Sequence, residues 1–171
     1  GGSGRGGLGV TTGALDGLLV TLDALDPAVG WAGINVLKGS SVNVSEDLVI
    51  AGGQVTSGLV IRGVAADAAA IAVTDGRANL DGIAFAGADR GTGVLASGAA
   101  ARVEVAASVV SGYRVGLRSA AGAVLHVTRS VVQGNAEWGF LNENGAGPCQ
   151  LANLVWWGGA QGPKDESAAE D

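Results

Sequence analysis

Four aspartates, Asp67, Asp75, Asp81 and Asp89, follow one another at short intervals. Carboxylates in a loose series could hold calcium, which needs roughly six to eight oxygens, or supply a general base. Asp75 and Asp81 each precede Gly, however, and Asp-Gly is a turn dipeptide, so turn chemistry accounts for them without an ion. Glu137 and Glu143 lie near each other in turn-like segments, whereas glycoside hydrolysis needs two carboxylates held about 5–10 Å apart. His126 is the only histidine. Repeat alignment places it in line with Asn79, Glu104 and Gln150, and a Glu104–His126 pair could act as a base or pH switch. An outward polar ladder is the preferred reading of that column. Arg102, Arg114, Arg118 and Arg129, with Trp138, form the candidate site for an acidic sugar, against the plainer reading of ordinary charged surface. Cys149 is the only cysteine, so neither an internal disulfide nor a zinc site is expected. The chain has no phosphate-binding loop and no serine nucleophile elbow. No catalytic residue, metal or cofactor is assigned.

The charge balance narrows the partners. The chain carries a net charge of −6 and has only two lysines, Lys38 and Lys164, the reverse of the basic footprint that nucleic acid or an anionic membrane surface requires. No apolar run of ~18 residues is present, so membrane insertion is not expected. Hydrophobic residues make up 47% of the chain but aromatic ones only 4%. A core of Ala, Val and Leu suits a narrow, regularly packed interior.

Internal repeats supply that regularity. RVEVAASVVSG (102–112) recurs as VLHVTRSVVQG (124–134), so that Val105, Ser108, Val110 and Gly112 match Val127, Ser130, Val132 and Gly134. LDGIAFAG (80–87) fits the same frame upstream at an offset of 25, and LANLVWWG (151–158) fits downstream at an offset of 24. Between these copies lie TGVL (92–95), VGLR (115–118) and WGFL (138–141), spaced by 23. A period of this length is too short for two helices and too long for one hairpin. It predicts a parallel β-solenoid of about five to six coils, with Val103, Val105 and Val110 inward and stacked on Leu125, Val127 and Val132. Equivalent residues stack about 4.8 Å apart. Ser108 and Ser130 should form a buried polar ladder. Thr residues do not recur at the coil period, which excludes an ice-binding face.

Upstream, INVLKGSSVNV (34–44), DLVIAG (47–52), GLVIRG (58–63) and AAIAVTDG (69–76) read as strands of the first coils. Leu15, Leu18, Leu19, Leu22 and Leu25 share one helical face ahead of Pro27, which predicts a short cap helix over 14–27. Gly17 and the Val20-Thr21 pair weaken that prediction. The chain divides into a Gly-rich leader or linker (1–13), the solenoid domain (14–163) and an acidic tail (164–171).

From about Ala14 to Pro163 the chain resembles the right-handed parallel β-helix, or pectate-lyase-like, superfamily, in particular its bacterial surface and secreted repeat proteins. The amphipathic start leading into DPAVGWAGINVLKGSSVNVSEDLVI, the coils ending in SVVSGY and SVVQGN, and the ending NLVWWGGAQGP carry the resemblance. It implies an all-β right-handed parallel β-helix, at the cell surface or outside the cell. Lyases of that fold use clustered Asp with calcium, and its hydrolases carry His-Gly and Arg-x-Lys beside paired carboxylates; neither set is found here. Fold alone does not fix activity. The expected function is therefore a non-catalytic structural module: a spacer, an adhesin, or a self-assembling subunit joined end to end or to a larger parent protein. Polysaccharide binding or processing is the alternative.

The offset of 24 sets a register for the tryptophans. Trp156 falls with Val110 and Val132 and should close the core, while Trp157 should pack over the edge. Gly158 and Pro163 then let the chain fold back, and the four residues together form a structural cap.

Overall fold

The computed structural model describes residues 64–158, apart from 146 and 149, and the strand segments that precede them. In chain order these are β1 (Gly7–Val10), β2 (Thr21–Leu22), β3 (Gly33–Val36), β4 (Ser41–Ser45), β5 (Val49–Ala51), β6 (Gln54–Thr56) and β7 (Val60–Arg62). The continuous part follows with β8 (Ala69–Thr74), β9 (Arg77–Asp81), β10 (Ala84–Ala86), β11 (Thr92–Ser97), β12 (Arg102–Ala106), β13 (Val109–Ser111), β14 (Val115–Ala120), β15 (Val124–Thr128), β16 (Val131–Gln133), β17 (Trp138–Asn142) and β18 (Leu151–Asn153).

These strands wind into a parallel β-solenoid. Sheet 1 runs β1-β3-β8-β11-β14-β17, sheet 2 runs β4-β9-β12-β15-β18, and sheet 3 runs β2-β7-β10-β13-β16. Each turn of the chain contributes one strand to each sheet. Four turns are complete (β3-β4-β7, β8-β9-β10, β11-β12-β13 and β14-β15-β16), with partial turns at both ends. The coil count is thus slightly below the five to six expected. No helix occurs among the described residues.

The repeat offsets read from sequence match the pairing in the middle of the chain. Val103 lies opposite Leu125 and Val105 opposite Val127, Val110 lies opposite Val132, and Leu117 pairs with both Val94 and Phe140. The alternation in β12 is the cause: Val103 and Val105 are buried, Arg102 and Glu104 exposed. A slip by one residue would turn every buried Val to solvent.

Two N-terminal expectations are corrected. Thr21–Leu22, inside the segment read as a helix, is a strand paired with β7. β-Branched residues such as Val20 and Thr21 favour a strand over a helix, and Leu22 falls in the column of the buried Ile61. The rest of 14–27 lies outside the described residues. The stretch DLVIAG does not enter the solenoid sheets either: β5 pairs antiparallel with β6 as a separate hairpin. Gly52-Gly53, between those strands, is a favoured hairpin dipeptide. Further upstream, Gly7–Val10 pairs in parallel with β3 and forms the first strand of sheet 1.

Buried polar groups run as a ladder along the solenoid. The Ser108 hydroxyl accepts the Ile83 N–H at 3.1 Å and donates to the Ala106 carbonyl at 2.6 Å. One turn on, the Ser130 hydroxyl accepts the Ser108 N–H at 3.1 Å and donates to the Thr128 carbonyl at 2.8 Å. Serine therefore supplies both the acceptor and the donor that the sharp corner before sheet 3 leaves unpaired. The corner itself is left-handed in every turn from β9 on: Gly82 (φ 70°), Ala107 (φ 44°), Arg129 (φ 48°) and Leu154 (φ 54°).

Tyr113 is the largest fully buried side chain among the described residues. Its hydroxyl donates to the Ile61 carbonyl at 3.2 Å, across 52 positions. The ring passes through the space left by two glycines. A Cβ on Gly87 would lie 2.8 Å from the Tyr113 ring, and one on Gly93 would lie 3.2 Å from it. Burial pushes the Tyr113 phenol well above its ordinary value.

Two outcomes follow from these contacts. Ser108→Ala leaves the buried Ile83 N–H without its acceptor, and urea denaturation should show a loss of about 1–3 kcal/mol; an unchanged midpoint would refute the ladder. Tyr113 ionises less readily in the folded chain than in the unfolded one, so its contribution is complete at lower pH. That contribution is lost as pH rises above about 10, because the unfolded chain then binds fewer protons. Tyr113→Phe should cost about 1–2 kcal/mol at neutral pH, and the alkaline decline of its melting temperature should be shallower than that of the wild type.

Candidate functional site

The arginines proposed for a sugar site are distributed rather than gathered. Arg118 sits on β14 in sheet 1, and Arg114 lies just before that strand. Trp138 starts β17 beneath Val115 and is half-buried. Arg102 opens β12 on sheet 2, stacked between Arg77 and Val124, and Arg129 occupies the left-handed corner after β15. Three of the four arginines have defined partners. Arg118 makes a two-pronged pair with Glu143, at 2.9 and 3.0 Å, Arg114 pairs with Glu137 at 3.0 Å, and Arg102 donates to the Ala99 and Ala101 carbonyls at 2.9 and 2.8 Å. Both ion pairs join one turn to the next, and both are largely solvated, so each is worth about 1 kcal/mol or less.

The aspartates occupy separate corners. Asp75 follows β8 with φ 52°, and its Oδ1 accepts the Ala100 N–H at 3.0 Å from the turn below. Asp81 ends β9, Asp67 lies in the turn before β8, and Asp89 is exposed with φ 55°. Among the described residues no three of His, Cys, Asp and Glu come together. Glu104 and His126 are paired in register, as expected, but Leu151 rather than Gln150 continues their column, with Asn79 above.

That substitution is part of a larger shift. Thr128 pairs with Asn153 and Val131 with Trp156, so the last turn follows at an offset of 25 rather than 24. Backbone bonds hold this register: the Trp156 N–H donates to the Ser130 carbonyl at 2.9 Å, and the Val132 N–H to the Trp156 carbonyl at 2.7 Å. Leu154 takes the left-handed corner, and Val155 takes the position of Ser108 and Ser130. The order expected for the tryptophans is therefore reversed. Trp156 is 53% exposed, beside the exposed Leu151 and Leu154. Trp157 packs against the core with Phe140 and Val155. Its ring lies under Gly139, where an added Cβ would come within 3.4 Å of it. Gly158 has φ 76°, and a Cβ there would lie 2.8 Å from Gln133. Pro163 lies outside the described residues.

Sequence reading missed three amides that finish the last turn. The Asn135 Oδ1 accepts the Tyr113 N–H at 3.1 Å. The Asn144 Oδ1 accepts the Gly122 N–H at 2.8 Å, while its Nδ2 donates to the Ser119 hydroxyl at 2.9 Å and the Ala123 carbonyl at 3.0 Å. The Gln150 Oε1 accepts the Leu125 N–H at 2.7 Å, and its Nε2 donates to the Ala123 and Pro148 carbonyls. Each side chain carries both a donor and an acceptor, so it can meet backbone groups of the turn above. The available signal was position: all three stand in or beside turns, about one period after the groups they bind.

No family model, no curated protein and no solved structure matches the chain. What the geometry itself presents is an exposed apolar group. Leu151, Leu154 and Trp156 are the exposed large hydrophobic residues among those described, and all three belong to the final partial turn.

The two tryptophans should separate on truncation. Trp157→Ala should lower unfolding free energy by about 2–4 kcal/mol, as the loss of a packed indole does. Trp156→Ala should change it by about 1 kcal/mol or less. The reverse order in chemical denaturation would restore the offset of 24.

Proposed function

We propose that the chain is a non-catalytic structural and interaction module. It acts as a spacer, adhesin or self-assembling subunit of the right-handed pectate-lyase-like type, at the cell surface or outside the cell. The observation that carries this reading is where the polar side chains spend their bonds. Asp75, Ser108, Ser130, Asn135, Asn144 and Gln150 each bind backbone of an adjacent turn. Arg114 and Arg118 bind carboxylates of the next turn. Groups that could have met a sugar are thus used to hold coil to coil. A solenoid is stabilised by contacts between neighbouring repeats, and this allocation serves that end.

The exposed Leu151, Leu154 and Trp156 support the interaction half of the proposal. Terminal strands carry unpaired backbone groups that invite another chain. Joining the end of one copy to the start of the next is a heterologous contact that builds filaments. Sedimentation over a concentration series, with Leu154→Lys as control, tests this. Association that grows with concentration and is weakened by Leu154→Lys is expected, alongside a panel of acidic and neutral polysaccharides left uncleaved with and without calcium. A strictly monomeric species at high concentration would remove self-assembly. Calcium-dependent cleavage, or polysaccharide retention lost in Arg118→Ala at unchanged thermal stability, would favour the carbohydrate reading.

A further inference from the structure

Asn144 precedes Gly145, and this is the one Asn-Gly pair in the chain. The chemistry latent in such a pair is intramolecular. The Gly145 backbone nitrogen attacks the Asn144 Cγ, the C–N bond to the side-chain nitrogen breaks, and ammonia leaves, closing a succinimide ring. Water then opens the ring at either carbonyl, giving aspartate or isoaspartate, so that the net change is water in and ammonia out. Glycine favours the first step because it brings no side chain to obstruct the attack. Gly145 is exposed, and a Cβ built on it would meet nothing within 4 Å.

The same asparagine uses both ends of its carboxamide. Its Oδ1 is fixed by the Gly122 N–H, and its Nδ2 by the Ser119 hydroxyl and the Ala123 carbonyl. Ser119 is fully buried and itself donates to the Ala123 carbonyl at 3.0 Å. The carboxamide is therefore clamped against the turn above, away from free rotation toward the Gly145 nitrogen. The neighbouring backbone is tied too: the Glu143 N–H donates to the Ser119 carbonyl, and the Gly147 N–H to the Asn144 carbonyl.

We propose that Asn144–Gly145 is a deamidation site held in check by this corner network, and that its conversion loosens the terminal turn. Aspartate keeps the acceptor for Gly122 but has no donor for Ala123, so a carboxylate faces a carbonyl where an N–H···O bond stood. Isoaspartate lengthens the backbone by one carbon between β17 and β18, the connection that sets their common stacking. The solenoid would then fray from its C-terminal end. Ser119, Ala123 and the turns above lie outside the reacting pair and stay intact.

The test uses the full chain, incubated at mildly alkaline pH and sampled over time by peptide mass spectrometry that resolves Asn135, Asn142, Asn144 and Asn153. Wild type should convert first at Asn144. Ser119→Ala should convert there about fivefold faster, the factor that loss of one net hydrogen bond gives. Asn144→Asp, made directly, should lower the melting temperature and raise amide exchange in β17 and β18, while β11 and β12 keep their protection. The proposal is overturned if Asn142 or Asn153 converts ahead of Asn144, if Ser119→Ala leaves the rate at Asn144 unchanged, or if Asn144→Asp matches wild type in both stability and exchange. A Ser119→Ala chain that does not fold leaves the wild-type order of conversion and the Asn144→Asp comparison to decide.

Discussion

Everything in this chain depends on the parallel hydrogen-bond register between successive turns. Parallel strands share evenly spaced, slanted bonds, so position n of one turn lies directly over position n of the next. That single condition explains why Val, Leu, Ile and Ala make up most of the core. Each column needs a side chain that fits its own copy above and below, and Val103 over Leu125 or Val110 over Val132 meets that need with little bulk. It also explains the serines. The corner repeats from turn to turn, and in the two central turns the hydroxyls of Ser108 and Ser130 answer the backbone groups it leaves unpaired.

The register was legible wherever side chains mark it. Val-x-x-Ser-Val-Val-x-Gly fixed two central turns, and the x-Gly-apolar motif fixed sheet 1 from Thr92 to Leu141. It was misread where the backbone marks it instead. The left-handed corner is occupied by Gly82, Ala107, Arg129 and Leu154, and only the first of these announces a positive φ by its type. With Leu154 aligned to Ser130 by the offset of 24, the final turn slid by one residue and the two tryptophans exchanged roles. A chain held by stacking can place an unfavoured residue in a strained corner, because the sheets on either side fix the geometry for it.

Tyr113 and the terminal amides were hidden for a different reason. Their partners on other turns lie 21 to 52 positions away, and no local pattern shows a contact of that range. The hollow beside Tyr113 was written in the sequence as Gly87 and Gly93, but glycine in a Gly-rich chain carries little information. The arginines were visible as residues and misleading as a group. Sequence places them close, whereas the solenoid sends Arg102 and Arg129 to sheet 2 and its corner, and Arg118 to sheet 1 with Arg114 just before its strand.

The tyrosine has a consequence for how the solenoid comes apart. Repeat arrays behave as one-dimensional chains in which each unit feels only its neighbours, and they can melt piecemeal. Tyr113 closes the third complete turn, yet its hydroxyl is bonded to Ile61 in the first, bypassing the turn between. That is a next-nearest-neighbour coupling. It binds the first three complete turns into one cooperative block and leaves the fourth turn and the final partial turn, beyond the block, as the segment free to open on its own.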